Sequence, residues 1–140
     1  MKNILLFILL LLFVGCDGTM YTNIYDKSKI GSEIKRVEII ASDEFSKESV
    51  SEIMKSRGFL VGSSEYRLRV EHRDYKGTCT NPLSKTSSDY SFDGLVSIEL
   101  YYRDKKLYNA YKDYKGEKSR ALFEPLIKEM LSDMEIKSAP

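Results

Sequence analysis

A two-layer α+β sandwich, a four-stranded and mostly antiparallel sheet with two helices on one face, is the fold this sequence predicts. Three observations predict it. Two segments alternate between inward apolar and outward polar side chains, Tyr66 to Arg73 and Tyr90 to Tyr102. Two others carry apolar stripes at helical spacing, Phe45 to Met54 and Leu122 to Met134. The patterns follow one another in the order βαβββα, and two helices with one apolar face each can cover a single side of such a sheet.

The chain opens on a different pattern. Lys2 supplies one positive charge, and residues 4–14 are an unbroken apolar run. That run is too short for a transmembrane helix, which needs about 20 residues. A basic start, an apolar stretch and the small Gly15 are the layout of an export signal over residues 1–15. Phe13-Val14-Gly15-Cys16 resembles the lipobox of bacterial lipoproteins, with Phe13 where leucine is usual. The resemblance implies that Cys16 receives a diacylglyceryl group and becomes the first mature residue, which would tether the protein to a membrane without spanning it. It also implies a sorting role for Asp17, since an aspartate after the lipidated cysteine resembles the inner-membrane retention signal of enteric bacteria.

Composition bounds the mature part. Lys2 is the only charge in the leader, so the mature chain is formally neutral against +1 for the whole. No clustered basic face calls for nucleic acid. With Cys16 modified, Cys79 has no intramolecular disulfide partner.

Residues 16–33 are polar, glycine-containing and without sustained period, which predicts a linker between lipid and domain. A single α+β domain is then expected over 34–137. Its first strand is read in "IKRVEIIA", with Val37, Ile39 and Ala41 on one face and Arg36, Glu38 and Ile40 on the other. A helix of about three turns follows, with Ser46 as N-cap and Gly58 closing its end. This crossover allows strands one and two to be parallel neighbours.

In the second strand Tyr66, Leu68, Val70 and His72 face inward, opposite a row of alternating charge. Lys76 to Asp89 is a long loop carrying Cys79 and Pro82, and connections of that length are often contact sites or mobile. The third strand contains Gly94, which marks a bulge or a close backbone approach. "RDKK" is a tight turn, "LYNAYKDYK" returns as the fourth strand, and Pro125 opens or kinks the last helix. This order and the lipidation signal are together similar to small envelope-assembly lipoproteins, the LPS-assembly lipoprotein among them.

No pattern points to catalysis. His72 is the single histidine and is expected to be half-buried against a neighbour. There is no HExxH, no CxxC, no G-x-S-x-G elbow and no phosphate-binding glycine loop, so no catalytic residue, metal or cofactor is expected. What stands out is tyrosine interleaved with cations in one hairpin. Tyr101, Arg103, Lys105, Tyr108, Tyr111 and Tyr114, with Cys79 in the loop before it, are the candidate interaction residues, because tyrosine gives interfaces a rigid apolar body with a polar tip. The expected partners are the membrane, through Cys16, and an envelope protein. A glycan or lipid ligand, on the tyrosine surface or between helices and sheet, is the alternative.

Overall fold

The computed structural model describes residues 19–75 and 92–140. Alternation of side chains decides which residues form the sheet. Strands β3 (Arg36–Ala41), β5 (Tyr66–Asp74) and β6 (Gly94–Tyr102) turn every second side chain inward, and β1 (Met20–Ile24) and β7 (Lys105–Tyr114) extend them with less regular burial. With the two-residue β4 (Leu60–Val61) they make a six-stranded sheet in the order β1-β7-β6-β5-β3-β4. A separate pair, β2 (Glu33–Ile34) and β8 (Lys137–Ser138), runs parallel and ties the C-terminal residues to the segment before β3.

Among the described residues the protein is α+β as predicted, with two α-helices and a mixed sheet. β3 and β5 are parallel neighbours joined through helix α1 (Glu44–Ser56), as the helical crossover allows. β5, β6 and β7 form an antiparallel meander. Four strands in the order βαβββα is an undercount, however. β1 was expected as linker, and it pairs antiparallel with β7 from Met20↔Lys112 to Ile24↔Tyr108. Its inward residues are Met20, Thr22 and Ile24, too weak an apolar alternation to announce a strand; the ladder to β7 makes it one. β2, β4 and β8 are two residues long and carry no period at all.

Local signals act at the helix ends. Asp43, not Ser46, caps α1: its carboxylate accepts from Ser46 N at 2.9 Å and from the Ser46 hydroxyl at 2.7 Å. Gly58, with φ +90°, ends the helix in the left-handed region. Helix α2 (Glu124–Asp133) has Pro125 in its first turn, where the missing N–H costs nothing, so this proline opens the helix.

Both helices lie on the inner face of the sheet. Val50, Ile53 and Met54 of α1 pack with Val37, Ile39, Leu68 and Val70. Leu126, Ile127 and Met130 of α2 pack with Ile98, Leu100, Tyr108 and Ala110. Each buried Val, Leu, Ile or Met side chain among them contributes roughly 1.5–3 kcal/mol.

Two irregularities place the tyrosines. The register shifts between Leu100↔Tyr108 and Tyr101↔Lys106, leaving Leu107 as the extra residue of a bulge. Leu107 and Tyr108 both end up buried. Gly94 is not the bulge; it is a close approach, since a Cβ there would lie 2.3 Å from the Arg73 carbonyl and 2.7 Å from the Tyr114 hydroxyl.

Candidate interaction face

The side chains that alternate away from the helices form a second face, and no described element covers it. β5 contributes Arg67, Arg69, Glu71 and Arg73; opposite them β6 presents Tyr101, Glu99, Ser97 and Leu95. β7 and β1 continue it with Lys106, Asn109, Tyr111, Tyr21 and Asn23, and β3 adds Glu38 and Ile40.

Glu99 organises its centre. Its carboxylate accepts from Lys106 Nζ at 2.6 Å and from the Tyr101 hydroxyl at 2.9 Å, with the Arg69 guanidinium 3.9 Å away. Burial opposes the charge of Glu99, but the bonds from Lys106 and Tyr101 outweigh it and hold the carboxyl below its ordinary pKa. Arg69 and Lys106 lie over the Tyr101 ring, 5.3 and 5.7 Å from its centroid, so the ring attracts both cations. Arg67 ion-pairs with Asp104 at 2.9 Å and donates to the Arg103 carbonyl.

Apolar groups flank this charged centre on both sides. Tyr21 and Tyr111 stack with centroids 5.2 Å apart and an interplanar angle of 20°, at 54% and 38% exposure. On the other flank Ile40 is 39% exposed and borders a depression of about 180 Å³ shared with Arg67, Arg69, Tyr101 and Asp104. A charged, hydrogen-bonded middle with exposed aromatic and aliphatic flanks can grip a complementary surface, and its groups are fixed in place before contact.

The candidate residues divide accordingly. Tyr101 and Tyr111 lie on this face. Arg103 sits in the β6–β7 turn with φ 54°, its Nε donating to Glu65 at 3.0 Å. Lys105 is held 2.8 Å from Asp26. With the bonds of Lys105 and Ser28, the Asp26 carboxyl is held down to about 2. Tyr108 and Tyr114 are not on the surface: they are 0% and 2% exposed, on the inner face. Tyr108 donates to Asp133 at 2.8 Å, and burial followed by that carboxylate pushes its pKa up. Cys16, Asp17 and Cys79 lie outside the described residues.

Arg67, Arg69, Glu99 and Ile40 belong to the face and were legible as the outward parity of three strands. Tyr21 was not, because recognising it requires β1.

His72 sits on the inner face near the sheet end, its Nε2 2.6 Å from the Tyr114 hydroxyl. Desolvation, and next the Lys118 charge, lower its pKa. Among the described residues no group of three or more His, Cys, Asp or Glu side chains is placed to hold a metal ion, and no helix is long and apolar enough to cross a membrane. No family model and no curated protein matches the chain.

Proposed function

We propose that the protein is a lipid-anchored envelope protein, tethered by acylated Cys16 on the periplasmic side of a bacterial membrane, and that it docks another envelope protein without catalysing a reaction. Asp17 favours the inner membrane. The anchor rests on the order of Lys2, the apolar run, Gly15 and Cys16. The docking role rests on one observation: the outward face carries exposed Tyr21, Tyr111 and Ile40 around the Glu99 cluster, and no described element covers it.

A ligand held between helices and sheet is less well supported. That space is taken by Tyr108, Phe123, Leu126, Ile127, Met130 and Met134, each under 2% exposed.

A photocrosslinking residue placed at Tyr111, at Ile40 or, as a control on the helical layer, at Lys128 tests the docking role in cells. The expected result is the same protein adduct from the first two positions and none from the third. Equal adducts from all three, or different ones from Tyr111 and Ile40, would refute the face. Mass spectrometry of the mature N-terminus tests the anchor; an intact Met1 would end it.

A further inference from the structure

We propose that the end of the sheet at which β1 begins lies against the membrane, with Phe45 inserted at the lipid interface. The proposal rests on the acylation of Cys16 and adds to it a fixed orientation of the domain. The residues predicted as an 18-residue linker do not serve as one: β1 is already hydrogen-bonded into the sheet at Met20. Only Asp17, Gly18 and Thr19 separate Met20 from Cys16. Four peptide steps reach at most about 14 Å, so Met20 cannot stand farther than that from the lipidated residue.

Topology says which end of the domain this is. β1 is antiparallel to β7 with Met20 opposite Lys112, so the chain enters at the end where β7 finishes at Tyr114. β5 also finishes there at Asp74 and β6 begins there at Gly94, while β3 runs toward this end, stops at Ala41 opposite Val70, and leads through Asp43 into α1. β3 lies four strand spacings, about 19 Å, from β1 in the sheet, and Phe45 stands beyond its end, in the first turn of α1.

Phe45 was expected on the buried stripe of that helix, yet it is 41% exposed. The Lys118 ammonium lies 4.8 Å over its ring while ion-paired to Asp43 at 2.6 Å. Just before β6, Phe92 lies beneath the Lys115 ammonium, 5.5 Å from its ring. A phenyl ring flanked by the tip of a lysine suits the boundary of headgroup and acyl chain, the ring in the apolar layer and the ammonium among the headgroups. One such ring binds a bilayer weakly in free solution. Anchored through β1, it meets the membrane at a high effective concentration, so a weak contact is occupied. At this end Lys47, Arg73, Lys115 and Lys118 are outnumbered by Asp43, Glu44, Asp74, Asp93 and Glu117, so the contact is apolar in origin and needs no anionic lipid.

The chain contains no tryptophan, so a single one reports its own position. The full acylated protein carrying Phe45→Trp, and a control carrying Leu60→Trp at the opposite end of the sheet, are reconstituted into vesicles of phosphatidylcholine with brominated acyl chains. We expect the emission of the Phe45→Trp protein to fall at least about twofold against unbrominated vesicles and that of the control to stay unchanged. High salt should leave both results as they are. Equal quenching at both positions, no quenching of the Phe45→Trp protein while it floats with the vesicles, or loss of quenching in high salt would overturn the proposal. Failure of the anchor is read separately: mass spectrometry finds Cys16 without lipid and the protein does not float.

Discussion

The Tyr114 hydroxyl reaches His72 Nε2, at 2.6 Å, across an intervening strand whose residue at that point is Gly94. Gly94 is paired with Tyr114 on one side and Asp74 on the other. Without a side chain there, the tyrosine ring lies flat over β6 and its hydroxyl arrives beside β5.

Gly94→Ala should therefore cost about 3 kcal/mol, the upper end for overpacking. The added Cβ would meet not only the movable Tyr114 ring but the Arg73 carbonyl at 2.3 Å, which is backbone. Urea unfolding measures the loss, and the His72 imidazole resonances should shift toward those of a free ring. A stable Gly94→Ala protein with an unchanged His72 signal would show that the close approach carries no weight.

His72 should make the protein less stable as pH falls below about 6.5. Desolvation and Lys118 lower its folded-state pKa more than Asp43 and Asp74 raise it. The unfolded chain then takes up the proton first, so stability declines from the unfolded pKa downward and levels off once the folded ring has also titrated. His72→Gln, which keeps a partner for Tyr114, should flatten the unfolding midpoint between pH 7.5 and 5.5, a window set by that pKa. Parallel curves for the two proteins would contradict this assignment.

Asp43 caps α1 and binds Lys118 at once. Burial works against its charge, but Lys118 and Ser46 more than compensate and hold its pKa well below the ordinary carboxylate range. Its stabilisation is accordingly present above about pH 4 and is lost as pH falls further. Asp43→Ala should cost roughly 1–2 kcal/mol at pH 7, whereas Asp43→Asn keeps the cap and should cost less. Comparing the two by thermal unfolding separates cap from charge; equal losses would mean that the cap contributes little.

Tyr108 and Tyr111 occupy the same hairpin and should behave in opposite ways. Tyr108→Ala opens a cavity in the core and should cost about 3–5 kcal/mol. Tyr108→Phe keeps the ring but loses the hydroxyl's bonds to the Asp133 carboxylate and to Thr22, and should cost about 1.5–3 kcal/mol. Tyr111→Ala gives up a surface stack with Tyr21, about 1 kcal/mol or less, and its larger effect should be on partner capture. A Tyr111→Ala protein that unfolds as readily as Tyr108→Ala would reverse the assignment of faces.

A chain cut to residues 34–140, the domain limit predicted from periodicity at its N-terminal side, should unfold at lower urea than one beginning at residue 19. It lacks β1, whose ladder covers β7 from Ile24 to Met20, and the Lys105–Asp26 pair. Equal midpoints would show β1 to be dispensable.

The strands that the sequence made legible were those with strong contrast between faces. In β5, Leu68 and Val70 against Arg67 and Arg69 fix both the strand and its inward side, and the same contrast runs through Val96, Ile98 and Leu100. The helices were legible for the same reason, with errors at their starts: Asp43 takes the cap expected of Ser46, Phe45 lies outside the core, and Arg120–Leu122 forms a separate 3-10 turn before α2. Local patterns sufficed there because each residue's burial follows from its neighbours one turn or one pleat away.

Sequence alone thus determined the α+β class, the outward charged row and the half-buried state of His72, and it allowed a helical crossover between parallel strands without requiring one. Tertiary structure decided the rest. Whether Met20–Ile24 is linker or strand depends on backbone bonds to a partner nearly ninety residues away, and nothing in five weakly patterned residues reports a distant ladder. Which tyrosines are exposed depends on Leu107: one extra residue in β7 reverses the parity after it and carries Tyr108 inward. A period-two pattern has no memory of a bulge until the opposing strand fixes the register.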